Sequence, residues 1–380
     1  MDAIYLDYNS TTPIDAEVLD AMLPFLRDGF GNPSSAHDLG RKAHDAIETA
    51  RGEVASLIGA EADEILFTGG GTEASNLAIR GARRKSPRQQ TILTTIIEHP
   101  ATEAPCALLE RSGVRVRRIA PRSDGRVDAA DMIAAMDDAT GLVSLIHAQN
   151  ETGILQPVGE IARAARERDA LIHIDAAQSV GKIPLDMRAL GIDLLSIAGH
   201  KLYAPKGVGA LYIRRGVGIE PVLVGAGQER GLRPGTENVP YIVALGRACA
   251  IAARRMAGDM PRIAALRERL LQALMKKVPG LQLVGDRDKR LPNTLNVMFP
   301  GVSGRKLLES CPRVLASTGS ACHADREDPS AILLAQGIAP DVALGAVRLS
   351  LGRLTTEPDI DAAAAALGNA WRQMQDASHQ

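Results

Sequence analysis

Seven short apolar runs, at residues 64–68, 91–97, 114–119, 142–147, 171–175, 194–198 and 210–213, constrain this chain more than anything else in it. Each is followed or preceded by a segment whose apolar residues recur at helical spacing. Residues 43, 46, 47, 50, 54, 57 and 58, for example, predict a helix that ends near Gly59. Strands alternating with helices in this way give an α/β fold with a mainly parallel sheet, because parallel neighbours need a crossover and the crossover covers the sheet face.

Beyond about residue 255 the texture changes. A long charged helix over 262–277, two strands at 281–284 and 294–299 and shorter mixed elements predict a smaller α+β unit. The extended residues 4–13 precede the first helical pattern at 16–26 and are expected to cross to that unit. The expected division is therefore 14–255 for a large domain, and 1–13 with 256–380 for a small one.

Composition excludes several classes. Lysine and arginine number 44 against 45 acidic residues, with no long run of either sign, so a nucleic-acid footprint is not expected. No apolar stretch approaches the roughly 20 residues that span a bilayer, and the start of the chain lacks a basic region followed by an apolar one. No membrane association and a cytoplasmic location are the expectations. Cys106, Cys249, Cys311 and Cys322 form no C-x-x-C pair and no zinc-like spacing, so neither disulfides nor a metal are expected.

The chemistry-bearing residues fall at strand ends. Gly199-His200-Lys201 follows an apolar run and leads into a Pro-Lys-Gly-Val-Gly turn, which places one lysine on a tight turn. A lysine among apolar neighbours loses its proton more easily, and a neutral amine condenses with an aldehyde. Lys201 is thus a candidate Schiff-base lysine for pyridoxal phosphate, with a solvated turn lysine as the alternative. Thr68-Gly-Gly-Gly71-Thr72 opens a helix after a strand and suits a phosphate, although Thr72 could equally be a simple N-cap. His99 closes the 91–97 run, where it could stack on a ring or relay protons, or be structural. Asn150 is either near such a ligand or a turn residue.

Asp175 ends a strand just before a helix, so it is either an N-cap or a buried carboxylate that wants a cation. A protonated pyridine nitrogen would be that cation, and Gln178 one turn on would face the phenolic oxygen. Arg233-Pro-Gly-Thr236-Glu-Asn lies in a polar loop, and Arg348 lies inside an apolar strand, where either a buried salt bridge or a bound carboxylate would relieve its charge. Finally, small residues precede Cys322 and a charged run follows it, so residues 316–329 are expected to form a mobile exposed loop whose thiol can act as a nucleophile, with His323 beside it.

Taken in order, Leu6-Asp-Tyr-Asn-Ser-Thr-Thr12, Gly31-Asn32-Pro-Ser-Ser35, Gly70-Gly71-Thr72-Glu73, Glu98-His99, Asn150-Glu-Thr-Gly, Asp175-Ala-Ala-Gln178, Gly199-His-Lys201, Arg233-Pro-Gly-Thr-Glu-Asn and Ser317-Thr-Gly-Ser-Ala-Cys322 resemble the cysteine desulfurases and selenocysteine lyases of the class V aminotransferase superfamily. The resemblance implies the fold type I architecture of pyridoxal-phosphate enzymes. It implies Lys201 as Schiff-base lysine, His99 as ring-stacking group, Asp175 as pyridinium partner and Gln178 as phenolic-oxygen contact. Gly71, Thr72 and His200 would bind the phosphate, and Thr236 would reach it from a neighbouring subunit, which implies a homodimer. Asn150 would lie near the ring, Arg348 and Asn32 would hold the substrate carboxylate, and Cys322 would accept sulfur.

The implied reaction converts L-cysteine to L-alanine with a persulfide on Cys322, for delivery to a sulfur acceptor or an iron–sulfur scaffold protein. Two departures stand out. Ala198 occupies a position where many desulfurases carry a hydroxyl for the phosphate, and Cys322-His-Ala-Asp325 is nearer to the selenocysteine lyase pattern. L-selenocysteine is therefore the alternative substrate, with an ordinary aminotransferase or a non-catalytic scaffold as further alternatives.

Overall fold

In the computed structural model, which describes residues 3–82, 89–319 and 328–378, all seven apolar runs join one sheet. In chain order the strands are β1 (Ile4–Tyr5), β2 (Ile65–Thr68), β3 (Thr91–Thr95), β4 (Arg115–Ile119), β5 (Thr140–Ile146), β6 (Leu171–Asp175), β7 (Leu194–Ala198), β8 (Gly209–Ile213), β9 (Gln282–Leu283), β10 (Thr294–Met298), β11 (Val314–Leu315) and β12 (Ala346–Ser350). The central sheet has the order β2-β8-β7-β6-β5-β3-β4. Its pairs are parallel except those of β8, which is antiparallel to both β2 and β7. As a result the carboxyl ends of β2, β3, β5, β6 and β7 lie along one edge, the edge at which open α/β sheets bind ligands.

Strands β5, β6 and β7 are buried at every position, as expected for parallel strands covered on both faces. One cover is the helix Asp38–Leu57. His37 Nδ1 caps it by accepting from Gly40 N at 3.2 Å, and Ala43, Ile47, Ala50, Val54 and Leu57 form its buried stripe. It stops at Gly59, whose φ of 66° is a conformation open to glycine.

A second core gathers Ile4, Leu6, Leu270, Leu295, Val297, Leu349 and Ile360 around the antiparallel sheet β12-β10-β9. The N-terminal residues do cross to it. Strand β1 pairs in parallel with β11, and Ser350 N donates to Leu6 O at 2.7 Å. The charged segment expected over 262–277 is part of one helix, Val239–Lys277, with Pro261 inside it. Its first half buries Ile242, Leu245 and Ile251 in the first core and its second half buries Ile263, Leu270 and Leu274 in the second. The charges masked this continuity because they fall on its solvent side, where Arg254, Arg255 and Arg269 make exposed ion pairs.

Among the described residues, no helix is long and apolar enough to cross a membrane, and no group of three or more His, Cys, Asp or Glu side chains is placed to hold a metal ion. Cys106, Cys249 and Cys311 are buried and form no disulfide among the described residues. Cys322 lies outside the described residues.

Candidate active site

A cavity of about 580 Å³ opens at the carboxyl edge of the central sheet. Asn9, Ser10, Gly71, Thr72, His99, Asn150, Asp175, Gln178, Ala198, His200, Lys201 and Arg348 all line it. Residues separated by more than three hundred positions meet because each ends a strand of one sheet or lies on a segment that crosses that edge.

Lys201 ends a single 3-10 turn, Gly199–Lys201, that follows β7 directly. Its Nζ donates to the carbonyls of Asn9 at 2.5 Å and Ser10 at 2.6 Å. Burial, and then the positive charge of Arg348, push its pKa down to about 8 from 10.5. The turn is held by Tyr203, which has φ 67°, accepts from Arg353 N at 2.7 Å and lies under the Arg353 guanidinium at 4.3 Å. A bulky residue at positive φ stays there only when its surroundings impose it.

Asp175 ends β6, is buried, and accepts from Ala177 N at 2.9 Å. The helix expected after it is absent, since residues 177–182 form successive turns; its Oδ1 caps the first of them while the carboxyl lines the cavity. Desolvation raises its pKa, and the backbone hydrogen bond, His99 and Lys201 pull the other way. A carboxylate in this position is short of a cationic partner.

His99 is the N-cap of the helix Pro100–Arg111, and its Nδ1 accepts from Ala101 N at 3.1 Å. Burial lowers its pKa, and the bond accepted at Nδ1 leaves the ring proton to Nε2. His200 Nδ1 lies 3.2 Å from Thr11 Oγ1, and burial followed by the Lys201 charge pushes its pKa down to about 4.

The glycine segment forms a concave turn between β2 and the next helix. The helix Gly71–Gly81 begins without a side-chain cap, so its first N–H groups stay available at its positive end. Gly70 has φ 149°. Across the cradle, a Cβ on Gly209 would sit 2.4 Å from Ile197 O and 2.7 Å from the Gly70 carbonyl carbon, so the backbones meet where only glycine fits. Ala198 contributes a methyl there and no hydroxyl, 3.1 Å from where a Gly71 Cβ would be.

Arg348, on β12, donates from Nη1 to Asn150 O at 3.0 Å and from Nη2 to Asp7 Oδ1 and Ser10 Oγ, both at 2.7 Å. The buried salt bridge and the open cavity wall are thus both present, and Nε remains without a partner. Asn150 takes part through its backbone carbonyl, while its side chain accepts from Gln149 at 3.2 Å. Asn32 and Thr236 are exposed and do not line this cavity within one chain.

Sequence reasoning missed three contributors. Asn9 is a buried hub: its carbonyl accepts from Gln178 Nε2 at 3.0 Å and its Nδ2 donates to Thr294 Oγ1 at 2.8 Å. Glu98 is a buried acid whose Oε2 has no partner among the described residues, and burial pushes its pKa up to about 8. Lys182 is a second buried amine, bonded to Gln178. The four-residue spacing from Gln178 to Lys182 was the available signal for the last of these.

This fold and site define an enzyme built for an aldehyde cofactor with a phosphate and a protonated ring nitrogen. The class-V aminotransferase family matches residues 4–363, and the chain belongs to that family of pyridoxal-phosphate enzymes. It is 46% identical over 363 residues to cysteine desulfurase 2 of Trichormus variabilis, covering 95% of this chain and 91% of the relative. It is 44% identical over 379 residues to the cysteine desulfurase IscS of an Anaeromyxobacter strain, covering 99% and 94%. A solved NifS-like protein superposes with a TM-score of 0.90 at 36% identity, covering 98% and 99%.

The residues present fit the cofactor. A near-neutral lysine, a buried acid lacking a cation, and an uncapped helix start beside an all-glycine backbone approach are the three features it requires.

Proposed function

We propose that this enzyme is a cysteine desulfurase, converting L-cysteine to L-alanine and passing the sulfur to Cys322. The observation that carries the reading is Lys201, an amine held near neutrality in a cavity that it shares with Asp175 and Arg348. The desulfurase relatives aligned over most of the chain support it.

Pyridoxal phosphate, when bound, supplies an electron sink for the bonds at the substrate Cα. Lys201 would hold its aldehyde carbon and would take the proton from the substrate Cα. Asp175 keeps the ring nitrogen protonated by offering it a buried counter-charge. His99, neutral, presents its ring face, and Gln178 its amide to the phenolic oxygen. Gly71, Thr72 and His200 bind the phosphate, and Thr236 completes that site from the second subunit of a homodimer.

Arg348 and Asn32 bind the substrate carboxylate, with Asn150 near the ring. The Cys322 thiolate attacks the substrate sulfur, so that an S–S bond forms, the Cβ–S bond breaks, and the carbon retains the electron pair and is protonated to alanine. We assign the smaller unit, 1–13 with 256–380, to carrying the Cys322 loop. The expected setting is cytoplasmic, with a sulfur acceptor or iron–sulfur scaffold protein as partner.

The run Cys322-His-Ala-Asp325 favours a second reading, a selenocysteine lyase. Incubating the purified enzyme with cysteine and with selenocysteine, and measuring alanine with sulfide or selenide, separates the two. Stoichiometric alanine and a protein persulfide from cysteine, lost in Cys322→Ala, is the expected result. Selenocysteine turnover indifferent to Cys322, with negligible cysteine turnover, would establish the lyase instead.

A further inference from the structure

Lys182 is buried four residues beyond Gln178, in the turns that follow β6. Its Nζ donates to Gln178 Oε1 at 2.9 Å and to Asn9 Oδ1 at 3.3 Å. Asn293 Nδ2 donates to the same Asn9 oxygen at 3.0 Å. Gln178 in turn sends one N–H to Asn9 O at 3.0 Å, the carbonyl that also accepts from Lys201 at 2.5 Å. The other N–H of that amide has no acceptor among the described residues.

The surroundings of Lys182 are unusual for a lysine. Its small cavity is shared with Tyr8, Lys201, Tyr203, Asn293 and Arg353, and no ion pair joins it to a carboxylate among the described residues. The charges that act on it, Lys201 and Arg348, are both positive and add to its burial in pushing its pKa down to about 7. Burying an amine without a counter-ion is costly, and a methionine would fill the same volume without that cost. Lys182 is therefore poorly explained by packing alone.

We propose that Lys182 is a positioning residue of the catalytic centre, fixing the Gln178 amide with its oxygen turned away and one N–H left for the ring oxygen. An amide has two nearly isosteric ends. Lys182 and the Asn9 carbonyl distinguish them, because the Asn9 carbonyl can only accept and so takes the Nε2 end, while Lys182 Nζ donates to the Oε1 end. This rests on the reading of Lys201 and Gln178 as cofactor residues.

The test uses the holoenzyme and two variants, Lys182→Met and Lys182→Gln. With Lys182→Met, kcat for cysteine should fall about tenfold while KM stays within about twofold. The pH midpoint of the cofactor's visible band should also rise by about half a unit or more, because a hydrogen-bond donor and a nearby cation are both lost. Lys182→Gln keeps a donor without the charge and should recover most of kcat.

If either kcat or the band midpoint of Lys182→Met matches the parent enzyme, the proposal is overturned. If Lys182→Met does not accumulate as folded protein, Lys182→Gln decides alone, a tenfold loss of kcat counting against the proposal. Failure of the underlying reading looks different: the parent enzyme itself would then bind no cofactor and show no visible band.

Discussion

The guanidinium of Arg348 and the carboxylate of Asp7 are joined across 2.7 Å, although one lies on β12 and the other only seven residues from the chain start. Asp7 thereby orients the buried cation proposed above to bind the substrate carboxylate, and Ser10 and the Asn150 carbonyl complete its anchoring. Arg348→Lys keeps the charge but loses the fork, so KM for cysteine should rise about 10- to 100-fold. Asp7→Asn leaves the guanidinium in place but loosely held, and should raise KM severalfold with kcat nearly kept. Steady-state kinetics on both variants checks this, and equal KM values in parent and variants would remove Arg348 from the substrate site.

Lys201 must be neutral to react with an aldehyde. Its pKa is lowered to about 8 from 10.5, so the rate at which apoenzyme takes up pyridoxal phosphate should climb with pH through a midpoint near 8 and level off about one unit higher, far below the plateau of an ordinary lysine. Stopped-flow absorbance on apoenzyme reads the profile. Lys201→Ala should keep its melting temperature and lose the visible band.

Glu98 is a carboxyl buried inside the protein. Its Oε1 accepts from Thr95 Oγ1 at 2.6 Å and Ile146 N at 3.0 Å, and burial raises its pKa from 4.5 to about 8. A carboxyl whose folded-state value lies above its unfolded value subtracts stability as pH rises between the two. The penalty is complete above the higher one. Glu98→Gln lacks this penalty, so its Tm relative to the parent should increase from about pH 4.5 to 8 and stay constant beyond. A flat difference across that window, measured by calorimetry on apoenzyme, would show that Glu98 is ionised in the fold.

Gly209 marks the closest backbone approach in the cradle. Because an added Cβ would meet Ile197 O and Gly70 rather than a side chain that can turn away, Gly209→Ala should cost about 1–3 kcal/mol of stability. Displacing Gly70 should also weaken phosphate binding, visible as cofactor lost on gel filtration while far-UV circular dichroism is kept.

What the sequence determined by itself was local. Short continuous apolar runs located the seven strands of the main sheet, and period-3.6 patterning located the helix that stops at Gly59, because burial writes itself into neighbouring residues. Residues placed just after apolar runs, Gly71, His99, Asp175 and Lys201, were legible as site candidates for the same reason, since a parallel sheet gathers its carboxyl ends along one edge.

Tertiary structure alone decided the rest. Nothing near Asn9 in the chain shows that it joins Gln178, Lys182, Lys201 and Thr294, since those partners are brought in by sheet order and by a crossing of the N-terminus to a second core. Nor does the sequence around Lys182 or Glu98 reveal that each is buried without an opposite charge. Desolvation depends on every element packed against a group, and that sum is settled only when the chain has closed on itself.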